Sequence, residues 1–445
     1  MYTYHVRGVS RIIIVIIMAV MLVIAIAGAY FYMTLTTPTT ITTQPTTTSV
    51  SEVKIGLIQP LSGGLATIGK YNVYGAEMAV EEINSKGGIK SLGGAKIKLV
   101  IGDSAGDPST AAREAERLIQ VEGVVAVIGA YASSNTKTVS EVCERLQTPC
   151  LNGDSTSPIL TRRGLKWFFR TTADDDLFAR QHVEFIKYIN STYPGSISTV
   201  AILHEDSEFG TATAEAWKNY LLQAGFKVVD IISFRTGTPT LDAEITRLKQ
   251  DNPDVLLVAG YLTDAILIQK TMKKLDFNPK MVLAQDAGYI HPNFLKEVGP
   301  LAYYVFSREV FNWDLLEKIP QIKDVNERFK AKYGVDMDGS IIRNYVAVWV
   351  LYYALEEAGK KASPADLQKF REVLRDSLRN IDIGKGVLPV PWDGVKFDET
   401  GQNIRAKGII VQVMPDDGKY HTVWPKEYAT RDFIFPTPKW SERPS

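Results

Sequence analysis

The chain has 445 residues, with 50 lysines and arginines balanced by 50 aspartates and glutamates. Zero formal charge lacks the basic surplus of a nucleic-acid binder, and 45% hydrophobic with 22% charged residues excludes wholesale disorder. Two cysteines, Cys143 and Cys150, are too few for a disulfide scaffold or a zinc ribbon. At ~150 residues per domain the length holds about three domain-sized units.

Residues 12–33 form an uncharged apolar run, long enough as a helix to cross a hydrocarbon core of ~30 Å. Arg7 and Arg11 precede it and no lysine or arginine follows until Lys54. The positive-inside rule therefore leaves residues 1–11 in the cytoplasm and places the rest outside. Ala25-Ile26-Ala27 offers a signal-peptide cleavage site, the competing reading. The run exceeds a usual signal core of ~7–15 residues, which favours a retained anchor. No cysteine lies near it, so a lipidated cysteine is not the anchor. Residues 34–52 read as a stalk, with ten threonines and two prolines in 34–50. Such a stretch cannot bury a core, and it serves equally as a glycosylated stalk or a bare spacer.

From Val53 short apolar runs alternate with helical patterns. Expected strands are Val53–Ile58, Lys96–Ile101, Val124–Ile128 and Thr148–Leu151, then Ser198–Leu203, Lys227–Ser233, Val255–Ala259 and Lys280–Ala284. Between them lie expected helices at Tyr74–Asn84, Pro108–Val121, Thr136–Leu146, Thr211–Leu222, Leu241–Gln250 and Ala265–Lys274. This rhythm predicts βαβ units, and two series of them predict two α/β lobes. Ligands of open sheets sit beyond the carboxyl ends of strands, so the loops after Ile58, Ile128, Leu151, Leu203, Ala259 and Ala284 are the places to search.

Catalytic patterns are missing there. Gly64–Lys70 matches most of a phosphate-binding loop, but Tyr71 stands where a magnesium-ligating hydroxyl is required, so a glycine-rich pocket loop is the better reading. The five histidines form no HExxH pair, and there is no GxSxG elbow. Asp174-Asp175-Asp176 reads as the capped start of a helix from Leu177. Cys143 and Cys150 suit either a disulfide or two buried thiols. No cofactor or metal site is expected. What the loops offer is hydroxyls: Ser133-Ser134 after one strand, and Asp154-Ser155-Thr156 after the next. Adjacent helix starts with free N–H groups can hold a carboxylate without a cation, although simple N-capping uses the same residues.

Order and spacing then point to a family. Val53-Lys54-Ile55-Gly56 with Pro60-Leu61-Ser62-Gly63 resembles the opening of the solute-binding proteins for branched-chain amino acids. Gly75–Asn84, Gly87-Gly88-Ile89, Asp107-Pro108, the Gly129 loop, Phe169-Arg170-Thr171, Phe209-Gly210 and Phe397–Gly401 continue the resemblance over about residues 53–425. It implies the type I periplasmic-binding fold, an α/β architecture of two doubly wound lobes joined by three crossovers. The lobes would be 53–172 with 310–385, and 173–309 with 386–435. It also implies a monomer that delivers a solute to the permease subunits of an ABC transporter, held to the membrane by its N-terminal helix.

The resemblance further implies that Ser133 and Thr156, with Ser134 and Ser155 beside them, hold a ligand carboxylate. Asp154 would offer its backbone carbonyl to the ligand ammonium and Asp286 its carboxylate. Phe209 and Tyr261 would cover the ligand from the second lobe. Three departures stand out: Asp286 replaces a glutamate, Phe209 lacks a phenol, and Asp154 replaces a small neutral residue. The Asp154 side chain either faces the pocket and recruits a basic or polar solute, or caps the following helix. Relatives that take short amides, urea or aromatic acids keep those ligands open, as does a sensory ectodomain. With about eleven residues inside the membrane, a sensor would need a separate signalling partner.

Overall fold

Val53, Ile55, Leu57 and Ile58 are all buried because their strand lies in the interior of a sheet. The computed structural model describes residues 1–2, 11–36 and 50–444. Residues 3–10 and 37–49, which include Arg7 and most of the expected stalk, lie outside the described residues. Helix α1 (Arg11–Thr36) carries a 24-residue stretch, Arg11–Thr34, of mean hydropathy 3.2 with none of it buried. It is long and apolar enough to cross a membrane, and a signal sequence would pass the same test.

Ser49–Ser445 is a separate compact unit. Its first sheet contains β1 (Glu52–Gln59), β2 (Lys96–Asp103), β3 (Ala126–Gly129), β4 (Cys150–Asn152) and β5 (Phe168–Arg170), in the order β2-β1-β3-β4-β5 and wholly parallel. The second contains β6 (Thr199–Glu205), β7 (Lys227–Phe234), β8 (Val255–Ala259), β9 (Met281–Ala284) and β10 (Phe306–Glu309). After a small hairpin of β11 (Asp382–Gly384) and β12 (Gly394–Lys396), β13 (Ile409–Val413) and β14 (Tyr420–Trp424) complete it antiparallel, giving β14-β13-β10-β9-β8-β6-β7.

Helices α2 (Ala66–Ser85), α3 (Pro108–Glu116) and α4 (Ser133–Arg145) belong to the first sheet, and α5 (Asp175–Thr192), α6 (Glu208–Gln223), α7 (Asp242–Asp251), α8 (Leu262–Lys274) and α9 (Pro292–Val298) to the second. Three more, α10 (Pro320–Tyr333), α11 (Gly339–Gly359) and α12 (Leu367–Arg379), return to the first lobe. Successive side chains of a strand face opposite sides. In β3, Ala126 and Ile128 join the core of α2 and α11, whereas Val127 joins Ala115, Val139 and Cys143 of α3 and α4. In β8, Leu256 and Val258 face Ile245 and Ile268 while Leu257 faces Phe185 and Trp217. Burial on both faces is why these parallel strands read as unbroken apolar runs.

The chain crosses between the sheets after β5, after β10 and after β12. The first and third crossovers are tied together: Arg170 Nε donates to Gln402 Oε1 at 2.7 Å and Asn403 Nδ2 donates to the Thr171 carbonyl at 2.8 Å. The expected division between residues 385 and 386 falls inside the β11–β12 hairpin.

Two readings are corrected. The Gly64–Lys70 stretch is not a pocket loop: a short 3-10 turn at Gly63–Leu65 leads straight into α2, which starts eight residues before the expected Tyr74. Gly69 is there for close packing, since a Cβ would stand 1.9 Å from the Pro60 carbonyl oxygen. Helix α4 begins at Ser133, not around Thr136, which brings the Ser133-Ser134 pair into its first turn. Asp174 does cap α5, its carboxylate accepting from Leu177 N at 3.0 Å. Cys143 and Cys150 are free, buried thiols.

Candidate functional site

The carboxyl ends of β3 and β4 lie side by side and carry the first half of the site. No side chain caps α4, whose flanking Ala132 is extended, so the first N–H groups of that helix stay available to an anion. The Ser155 hydroxyl is 3.0 Å from the carbonyls of both Ala130 and Tyr131 and 2.6 Å from Thr136 Oγ1. It therefore clamps the β4 loop onto the β3 loop. Asn152 Nδ2 reinforces the clamp by donating to the Gly129 and Ala130 carbonyls at 3.1 and 3.0 Å. Thr156 is buried beside it, its carbonyl accepting from Asp175 N at 2.8 Å. Ser134 is half-buried, near Asn135 Oδ1 at 3.5 Å, and does not line the cavity described below.

The second lobe supplies an aromatic wall. Glu205, ending β6, accepts from the N–H groups of Ser207 and Gly210 at 2.7 and 2.6 Å, which sets the first turn of α6 and with it Phe209. Tyr261 immediately precedes α8, its N–H donating to Asp264 Oδ2 at 3.1 Å. The Phe209 and Tyr261 rings are 5.7 Å apart, and Tyr131 of the first lobe stands 5.9 Å from Tyr261. Tyr131 was not anticipated from sequence, where a tyrosine in a Gly-Ala-Tyr-Ala loop carries no distinguishing pattern. After β9, Asp286 and Ala287 both adopt left-handed backbone, φ +54° and +48°. Such conformations in non-glycine residues cost free energy and persist where surrounding contacts impose them.

Those contacts are ionic. Asp286 Oδ2 stands 2.5 Å from Nη1 of Arg343, on α11, and 2.5 Å from Nη1 of Arg308, on β10. Asp286 was expected to face a ligand ammonium; its carboxylate is instead already engaged by two guanidinium groups, which hold its pKa below the ordinary aspartate value despite burial. Of the two readings of the Asp154 side chain, the structure favours the one that faces the cavity. Asp154 caps no helix, and its side chain turns toward α11, where Arg343 Nε reaches Oδ1 at 3.2 Å, Ser340 Oγ lies 2.8 Å from Oδ1 and Asn344 Nδ2 donates to Oδ2 at 2.6 Å. Asn72 Nδ2, on α2, adds a fourth contact at 3.3 Å. Burial still pushes the Asp154 pKa up, chiefly through desolvation and only partly countered by Arg343. Gly153 permits the approach: a Cβ there would stand 2.8 Å from the Arg343 carbonyl oxygen. Arg343 thus bridges acids of both lobes. Its signal was a lone Arg-Asn pair inside the apolar stretch Ile341–Leu355.

Between the lobes these side chains line a narrow cavity of about 20 Å³. Ser133, Asp154, Ser155 and Thr156 line it from one side, and Phe209, Tyr261 and Asp286 from the other. Tyr131, Ala287, Arg308 and Arg343 complete the lining, unforeseen. Among the described residues, no cluster of three or more His, Cys, Asp or Glu side chains could hold a metal ion.

Residues 52–418 match the periplasmic binding protein family. The Leu/Ile/Val-binding protein homolog 8 of Brucella abortus (strain 2308) is 29% identical over 397 residues, 87% of this chain and 94% of its own length. The corresponding homolog 7 of Brucella melitensis biotype 1 is 31% identical over 395 residues, with the same shares. Among solved structures, a leucine-binding protein LivK from Thermotoga maritima superimposes with a TM-score of 0.72 at 24% identity, over 83% of this chain and 97% of that one. LivJ of Streptococcus pneumoniae, in complex with isoleucine, gives 0.70 at 21% identity, over 84% and 100%.

Proposed function

Because the chain belongs to the periplasmic binding protein family, that of the branched-chain amino-acid binding proteins, we propose that it captures an amino acid or close carboxylate relative between its lobes and hands it to an ABC importer. The family is extracytoplasmic and consists of solute-binding proteins, not enzymes. The observation that carries the proposal is the cavity lined by hydroxyl-bearing helix-start loops of one lobe and by aromatic and charged side chains of the other.

The lobes open and close about the three crossovers. A ligand shifts that equilibrium only through contacts that differ between the two states. Ser133 and Thr156 meet the carboxylate in the open form, and Phe209, Tyr261 and the β9–β10 side chains reach it on closure. Direct bonds across the cleft hold the closed arrangement: Ser157 Oγ donates to Glu208 Oε1 at 2.9 Å, and Lys137 Nζ lies 3.5 Å from Glu208 Oε2.

A charge-assisted hydrogen bond contributes roughly 1.5–3 kcal/mol. Ser133→Ala and Thr156→Ala are therefore each expected to weaken binding by about tenfold or more, with unchanged thermal unfolding in the absence of ligand. Calorimetric titration of a panel of amino acids and carboxylates measures this; unchanged affinity in both variants moves the site elsewhere. We also assign α1 the role of membrane anchor. The chain from residue 50 onward is then expected to be soluble and monomeric on size-exclusion chromatography, and aggregation without detergent would count against that division.

A further inference from the structure

Resting on the solute-binding reading, we propose that the ligand carries two anionic groups, one for the Ser133–Thr156 loops and a second for the Arg308 guanidinium of the opposite lobe. Dicarboxylates and acidic amino acids are the chemical class this describes, in place of amino acids with apolar side chains.

The hydrogen-bonding inventory of the cavity leads there. Both of its acids are saturated. Asp154 has four side-chain partners, Arg343, Ser340, Asn344 and Asn72. Asp286 Oδ2 takes both arginines, and its Oδ1 accepts from Ala287 N at 2.5 Å. The groups left over on the lining are donors. Arg308 is 1% exposed, and its Nε has no hydrogen-bond partner, whereas its Nη1 is held in the ion pair with Asp286. Arg308 also stacks on Phe178, its guanidinium carbon 3.7 Å from the ring centroid, which fixes the plane of the guanidinium. The Tyr261 hydroxyl is buried and unpaired too. The orphan acceptors Asp175 Oδ2 and Gln285 Oε1 do not line the cavity.

A buried donor without an acceptor is costly, and a planar guanidinium matches a carboxylate. A ligand that brings acceptors relieves this cost; one that brings only an ammonium brings more donors.

The test is titration calorimetry of the full-length protein in detergent with glutarate, glutamate, pentanoate and leucine. Glutarate or glutamate is expected to bind at least tenfold more tightly than pentanoate and leucine. Arg308→Gln should lose at least tenfold more for the dianionic probes than for the other two, and Arg308→Lys should recover part of that difference. If Arg308→Gln unfolds, the order of ligands on the native protein decides alone. Leucine or pentanoate binding as tightly as glutarate and glutamate overturns the inference and leaves the solute-binding reading intact. No binding by any of the four overturns both.

Discussion

Replacing Arg343 by methionine is expected to destabilise the folded ectodomain by about 3–5 kcal/mol, the usual cost of removing one partner from a buried ion pair. Arg343 is 2% exposed and is the cation shared by Asp154 and Asp286, at 3.2 and 2.5 Å. Without it the Asp154 carboxylate keeps only neutral partners, and Asp286 keeps Arg308 alone. Both acids would then hold a proton more readily, so the deficit should shrink on acidification. Urea unfolding of native and variant chains at pH 7.5 and pH 5 measures both effects. A second substitution, Asp154→Asn in the Arg343→Met background, is expected to recover part of the loss, because it removes the charge left without a cation. A native-like midpoint for Arg343→Met would show that the bridge contributes little.

Asp338→Asn is expected to stabilise the protein at pH 8 and to have almost no effect below about pH 4. Asp338 caps α11, Oδ1 accepting from Ile341 N at 2.8 Å, while its Oδ2 is buried without a partner. Burial, with the negative charges of Asp286 and Asp154 nearby, pushes its pKa up to about 7. The unfolded chain titrates at an ordinary ~3.9. Between those values the native state binds more protons than the unfolded one, so the contribution of Asp338 to stability falls as pH rises from about 4 through about 7. At about 1.36 kcal/mol per pH unit, the contribution lost by pH 8 is at most about 4 kcal/mol. The substituted asparagine retains the cap without that dependence. Asp175 and Asp264, each pushed up to about 6 by burial, act with the same sign. Buried His182 and His291, lowered to about 3 and about 4 by desolvation, act oppositely below about pH 6.5. All four cancel in the difference between native and variant melting temperatures. That difference should grow from about pH 4 to about pH 7 and level off by pH 8, and a constant offset would mean that Asp338 does not titrate in this range.

The central strands and most of the intervening helices were legible in the sequence because their signals are local. Val255–Ala259 is an unbroken apolar run bounded by turn residues, and it is β8 to the residue. The amphipathic spacing of Pro108–Val121 announced α3, where Asp107 accepts from Thr110 N at 2.7 Å. The glycines misled where their role is contact and not turning: Gly69 lies inside α2 because of Pro60, which no window around Gly69 can show.

The site divides in the same way. Its hydroxyl loops were findable, since a strand end followed by serines and threonines is a local pattern, and the family resemblance placed them in order. By itself the sequence determined the alternation of strands and helices, the two lobes and the loop ends where a solute would sit. Only the tertiary structure decided the charge state of the cavity. Arg343 comes to Asp154 from 189 residues away and to Asp286 from 57, and Arg308 lies on β10, a strand not among those expected from the sequence. Periodicity is written within about ten residues of chain, because backbone geometry repeats on that scale. Which buried charges meet is set by how distant helices pack, and the energy that selects their partners exists only once water has been excluded from around them.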